Sequence, residues 1–242
     1  MLDGLTRSLK KVLLSAGIEV RRFAPNTSPS AQLVAALRFN KIDLVFDIGA
    51  NAGQFAKELR NDGYNGRIVS FEPLTTAHSI VKRGSQFDPN WQVPERCAIG
   101  AQVGEISLNI SGNSVSSSVL PMLSSHRNAA PDSAYVGTEL APLNTFDTVA
   151  RRFLGEAQTP HLKIDTQGYE WPDLDGAVES LPLMRGVIIE LSLLPLYGGQ
   201  RLWRKCADRL AADEFVLWAI LPVFVGPIDG RTLQMDGIFF RQ

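Results

Sequence analysis

Residues 44–53 read LVFDIGANAG, and this stretch limits what the chain can fold into more than any other. Leu44, Val45 and Phe46 form a short apolar run of the kind found in buried parallel strands. Asp47 sits at the end of that strand, and Gly49, Asn51 and Gly53 then mark a tight turn. The segment from Gln54 to Arg60 has helical composition, and Asn61-Asp62-Gly63 stops it. Strand, glycine turn and helix in succession let a backbone approach a nucleotide closely.

The turn is not a dinucleotide fingerprint. That motif needs G-x-G-x-x-G, so that N–H groups at a helix start meet a pyrophosphate. Here the pattern is D-x-G-x-N-x-G, with the third glycine absent and a carboxylate where a pyrophosphate would be repelled. A ligand with a cationic end and no phosphate fits better, and S-adenosylmethionine has an ammonium, a sulfonium and a ribose. A second acid is in place: Arg67 to Phe71 reads as the next strand and ends in Glu72-Pro73. Glu72 follows Asp47 at close to the ~20-residue offset at which a carboxylate holds ribose hydroxyls. Trp91 to Ile99 reads as a third strand, and Ala98 near its end is small enough for an adenine to lie against the backbone. The expected cofactor residues are therefore Asp47, Gly49, Asn51, Gly53, Glu72 and Ala98.

At 242 residues the chain holds one methyl-donor-sized α/β domain with a small appendage, read as a helical cap over residues 1–40 and a main domain over residues 41–242. The overall charge of −1 gives no nucleic-acid signal. The charge is uneven, however. Residues 1–41 hold seven basic side chains against Asp3 and Glu19, a net of +5, which leaves −6 for the remainder. That basic start is a solvated helix face or a contact for an anionic partner or membrane surface. Cys97 and Cys206 make neither a disulfide framework nor a zinc spacing, so a reducing, cytoplasmic setting is the default. Leu2 to Leu14 is interrupted by charges and is no signal peptide, and Phe215 to Ile228, with two prolines, is too short to span a bilayer.

Leu5 to Arg22 reads as an amphipathic helix, with Leu5, Leu9, Val12, Leu13 and Ala16 at helical spacing, and Ala31 to Phe39 as a second helix capped from Ser28 or Ser30. Gly104 to Ile110 alternates and is expected to pair with Val136 to Leu143. Between them residues 111–132 form a long Ser-, Asn- and Pro-rich insertion, a candidate lid or binding loop that carries His126. Thr145 caps a helix to Leu154. Val187 to Leu191 is a buried strand containing Glu190. Phe215 to Phe224 and Gly237 to Arg241 read as the last two strands, joined by a turn centred on Asp229-Gly230, which implies one antiparallel edge.

A second chemical cluster lies at residues 161–170, HLKIDTQGYE. Interior parallel strands are usually apolar on both faces, so Lys163 and Asp165 point to the mouth of a strand. Glu170 opens the following helix. Asp165, Lys163 and Glu170 could bind a polar substrate or move a proton, and His126 titrates nearest neutrality. Mg2+ is an alternative, with Asp165 and Glu190 at the ends of neighbouring strands as ligands.

With VFDIGANAGQF at 45–55, FEP at 71–73, AIG at 98–100 and LKIDTQGYE at 162–170 in view, the chain resembles the FkbM family of S-adenosylmethionine-dependent methyltransferases. The resemblance implies a Rossmann-like class I methyltransferase fold, a seven-stranded mostly parallel sheet with an antiparallel last strand, to which the chain reading adds an N-terminal helical extension. It implies O-methylation of a hydroxyl on a sugar, a glycolipid or polysaccharide, or a polyketide-type acceptor, with no nucleic-acid partner and no transmembrane segment. A homodimer is compatible with it. The competing readings are an NAD-dependent oxidoreductase, disfavoured by the missing glycine, and a nucleoside-binding module without catalysis, disfavoured by the Lys163, Asp165, Glu170 cluster.

Overall fold

The computed structural model describes residues 2–155 and 157–242, and the side chains from residue 9 onward within that span. In chain order the elements are α1 (Leu2–Ser15), α2 (Pro29–Phe39), β1 (Leu44–Ile48), α3 (Gln54–Asn61), β2 (Arg67–Phe71), α4 (Thr75–Gly84), β3 (Trp91–Gln92), β4 (Ala98–Ile99) and β5 (Gly104–Ser111). They continue with α5 (Ser124–Ala129), β6 (Tyr135–Asn144), α6 (Phe146–Leu154), β7 (Pro160–Ile164), α7 (Glu170–Asp175), β8 (Gly186–Ser192), α8 (Trp203–Ala212), β9 (Phe215–Val225) and β10 (Thr232–Arg241).

Seven strands form one sheet in the order β3-β2-β1-β7-β8-β10-β9. β1 pairs in parallel with β2 and β7, and β7 with β8. β10, the last strand in sequence, is inserted between β8 and β9 and runs against both. This is the Rossmann-like arrangement that the sequence implied. β1 is buried on both faces because Leu44, Phe46 and Ile48 enter one core, with Phe146 edge-on to Phe46 at 5.0 Å, while Val45 enters the other with Leu37 and Ile68. Among the described residues no helix is long and apolar enough to cross a membrane.

The structure corrects several boundaries. The expected strand over Trp91 to Ile99 is two strands: β3 pairs with β2, whereas β4 joins a separate three-stranded sheet, β4-β6-β5. Pro94 lies between them, and a proline has no N–H to continue a ladder. β5 and β6 pair antiparallel, Gly104 opposite Leu143, as the alternation predicts. α1 ends at Ser15 rather than Arg22, because Gly17 takes a left-handed φ of +75° and turns the chain out of the helix. The Leu5 side chain of the expected stripe lies outside the described residues. The helix that Glu170 opens ends already at Asp175, followed by a short 3-10 turn at Leu181–Leu183. β10 begins five residues before Gly237, since Gln234 and Asp236 are already in register with Ser192 and Glu190.

Candidate functional site

A cavity of about 480 Å3 opens at the C-terminal ends of β1, β2 and β7. Its floor is the turn after β1. Gly49, Asn51 and Gly53 all adopt left-handed φ, at +78°, +47° and +79°. A Cβ at Gly49 would stand 1.8 Å from the backbone oxygen of Asp165. The glycine is therefore demanded by the contact between two strand ends as well as by the turn. The Gly49 and Ala50 N–H groups donate to the Phe71 carbonyl, so the turn is held against β2.

Glu72 rises from the end of β2 into the wall. One carboxylate oxygen accepts the Asn51 N–H and the other the Leu74 N–H, each at 2.8 Å. Burial pushes its pKa up to about 7, despite those two donors. Ala98 also lines the cavity. Gly49, Asn51, Glu72 and Ala98, four of the six expected cofactor residues, thus line the same cavity.

Asp47 and Gly53 do not line it. Asp47 is closed from solvent: its Oδ2 accepts from Ser70 Oγ at 3.0 Å, and its Oδ1 lies 3.1 Å from Lys163 Nζ. A strand-end acid facing into the sheet neutralises a buried lysine instead of meeting a ligand. Gly53 backs onto Trp91 and Val81, where a Cβ would come within 2.9 Å, and it begins α3.

Lys163, Asp165, Gln167 and Asp236 also line the cavity. Burial pushes the Lys163 pKa down, but Asp47 and Asp165 outweigh it and hold the pKa above the ordinary lysine value. Lys163 is therefore a fixed cation, not the proton acceptor that the sequence allowed. Its Nζ is 3.4 Å from Asp165 Oδ2, and Asp165 Oδ1 accepts from Gln167 Nε2 at 2.9 Å. Asp236, across from Glu190 on the adjacent strand, reaches the same cavity, and its pKa is raised to about 7 by burial and by Asp165. Sequence reasoning missed Asp236 because the strand was expected to start one residue later.

Glu170 and His126 stand away from this cavity. Glu170 Oε1 accepts the Thr166 and Gly168 N–H groups, at 3.2 and 2.9 Å, and so pins the turn after β7. His126 is buried on the short helix α5 between Tyr197 and Phe224, with Ser116 Oγ 3.2 Å from Nε2. Burial lowers its pKa to about 4. It lines a smaller neighbouring cavity of about 270 Å3 that shares Asp165 and Gln167 with the larger one. Residues 111–132 pack closely here: Ser118 Oγ donates to the Gln167 carbonyl at 2.7 Å.

Asp165 and Glu190 do stand on neighbouring strands, but they do not suit Mg2+. The Gln167 amide nitrogen lies between them, donating to Asp165 Oδ1 and to Glu190 Oε2 at 2.9 and 2.8 Å, and Gln234 Nε2 donates to the same Glu190 oxygen at 2.6 Å. Burial, reinforced by Asp165 and Glu170, raises the Glu190 pKa well above the carboxylate range. A divalent ion needs ionised oxygens, not an amide donor, at that point. Among the described residues no group of three His, Cys, Asp or Glu side chains could hold a metal.

Of the ionisable side chains that line the larger cavity, Glu58, Glu72, Asp165 and Asp236 are acidic and Lys163 alone is basic. Such a lining favours a cationic ligand over a polyphosphate.

A family model described as the methyltransferase FkbM domain matches residues 47–217. No curated protein sequence matches the chain. Solved structures that are similar include a putative O-methyltransferase from Klebsiella pneumoniae, at 12% identity over 98% of this chain and 89% of that one with a TM-score of 0.49. They also include the methyltransferase domain of bacterial CtHen1, at 10% identity over 87% and 96% with a TM-score of 0.48. A third is magnesium protoporphyrin IX methyltransferase from Synechocystis PCC 6803, at 10% identity over 88% and 78% with a TM-score of 0.47.

Proposed function

The chain belongs to the FkbM methyltransferase family, and from that premise we propose that it transfers the methyl group of S-adenosylmethionine to a hydroxyl of a small-molecule or saccharide acceptor. The observation that carries this reading is the charge of the cavity lining, with four carboxylates against one fixed lysine. In this reading Glu72 accepts the ribose hydroxyls, the Gly49–Asn51 backbone lets the nucleoside lie close, and Ala98 leaves room for the adenine. The cationic methionine end then faces Asp165, which leaves Asp236 for the acceptor.

Methyl transfer to oxygen is an in-line displacement. The acceptor oxygen forms a bond to the methyl carbon as the carbon–sulfur bond breaks, the bonding pair stays on sulfur, and the sulfonium becomes a neutral thioether. Holding the two reactants in line can supply ~7–11 kcal/mol of the barrier. The hydroxyl must also lose its proton. Asp165 is already engaged by Lys163 and by the Gln167 amide. Asp236 faces the cavity with a carboxyl poised near neutrality and is the better acceptor of that proton. Buried, unpaired Cys97 and Cys206 suit a reducing compartment such as the cytoplasm.

The test uses methyl-labelled S-adenosylmethionine with alcohol-bearing acceptors. An ether product keeps its label through mild alkali. Label released as methanol would instead mean esterification of a carboxylate, and would discard the O-ether reading.

A further inference from the structure

The amino-terminal segment has no role in the cavity, yet its side chains are arranged to a pattern. Leu9, Val12, Leu13 and Ala16 follow one another at spacings of three, one and three, which places them on one side of α1 and its final turn. In a folded chain such a stripe is normally covered. Here Leu9 is 60% exposed and Val12 66%. Beyond Gly17 the chain is irregular, and Ile18, Val20 and Phe23 are also about half exposed or more. Among the described residues α1 makes no hydrogen bond to the main domain.

The polar side of the segment is basic. Lys10 and Lys11 lie off the apolar stripe, and Arg22 lies in the irregular stretch after it; all three are exposed, and none makes a salt bridge among the described residues. Glu19, the acid in this stretch, is taken up by Arg21 at 2.8 Å. The first forty-one residues carry +5 while the rest carries −6, so the cationic character is local and not a property of the whole surface.

We propose that residues 9–23 form an interfacial anchor that lays α1 on an anionic phospholipid surface, its apolar side among the acyl chain ends and its lysines among the headgroups. A short apolar stripe flanked by lysines that can snorkel is the pattern of helices that lie in a membrane interface. The segment cannot span: fourteen helical residues reach ~21 Å, against a hydrocarbon core of ~30 Å. Charge complementarity selects lipid over a second copy of this chain, whose facing segment would bring the same +3 of residues 9–23 against it. Anchoring would present the acceptor site to membrane-associated hydroxyl compounds.

The test is sedimentation of the full chain with large vesicles of phosphatidylcholine alone or mixed with phosphatidylglycerol. The chain is expected to pellet with the mixed vesicles and to stay in solution with phosphatidylcholine. Pelleting should vanish as salt shortens the Debye length from ~10 Å at 0.1 M to ~3 Å at 1 M. Lys10→Glu/Lys11→Glu and Leu9→Asp/Val12→Asp should each weaken binding at least tenfold, with S-adenosylhomocysteine affinity by calorimetry unchanged as proof of folding. No pelleting with anionic vesicles overturns the proposal, and so does pelleting that both variants retain. A dimer in solution that Leu9→Asp/Val12→Asp dissociates, without vesicle binding, would assign the stripe to a second copy instead.

Discussion

Lys163 Nζ sits 3.1 Å from Asp47 Oδ1, and solvent reaches neither group to any useful extent. The pair ties β7 to β1 directly beneath the cavity. Removing one partner strands a charge in the sheet. Lys163→Met should therefore destabilise the fold by ~3–5 kcal/mol, and Lys163→Met/Asp47→Asn should recover part of it. Urea denaturation measures both. Because the folded-state pKa of Lys163 is raised, its stabilisation is complete below the unfolded value of ~10.4 and is lost as pH climbs through the folded one.

Glu72 couples donor binding to protons. Burial raises its pKa to about 7, and the proposed ribose contact would need the ionised form. Below that point binding must first expel a proton, so S-adenosylhomocysteine affinity should fall by up to ~10-fold per pH unit. Glu72→Gln should bind more weakly at pH 8 and lose the pH dependence, as read by calorimetry in buffers of different ionisation enthalpy.

Asp236→Asn separates binding from chemistry. Donor affinity should stay within a few-fold, while methyl transfer falls by ~10²–10⁴, the usual range for losing a general base. Wild-type kcat should rise with pH and level off above about 7, following ionisation of this carboxyl, and the variant should lack that limb. An unchanged pH–rate profile would remove Asp236 from the reaction.

Glu72, Glu170 and Asp236 are each raised to about 7, chiefly by burial. The folded chain thus holds protons that the unfolded chain, with carboxyls near ~4, releases. Stability contributed by these protons is present below that value and declines as pH rises toward 7. Thermal melting at low salt should show a midpoint that drops between pH 5 and ~7.5, and the Asp236→Asn variant should drop less.

Gly49→Ala should cost both fold and ligand. Its methyl would overlap the Asp165 carbonyl oxygen, at 1.8 Å, in a backbone conformation that L residues resist. We expect a lower melting temperature together with loss of S-adenosylhomocysteine binding. Gly104→Ala, where a Cβ would meet open space, serves as the control.

The parts that local pattern encodes were legible in the sequence. The β1 turn, Glu72 at the end of β2 and the Lys163–Asp165 strand mouth follow from apolar runs and glycines read a few residues at a time. What escaped depends on contacts across the sheet. Asp47 reads as a ligand residue until Lys163 is seen beside it. Asp236 is hidden because residues 232–236 look like turn, and only pairing with β8 and β9 makes them strand. Gln167 carries no signal of its own. It matters because Glu190, Tyr197 and Ser118 converge on it from three other segments, beside its near neighbour Asp165. His126 looked like a base on chemical grounds, and the aromatic packing around it could not be read from a serine-rich stretch.

The insertion of β10 between β8 and β9 has a consequence for synthesis. A ribosome delivers Gln234 and Asp236 only after β8 and β9 have emerged, so until then the cavity lacks the lining that Asp236 adds. Until then β8 carries a bare row of backbone donors and acceptors, and β9 has no place to dock. Translational pausing before residue 232 would leave an open apolar ledge, the kind of surface to which chaperones bind and on which neighbouring chains mispair.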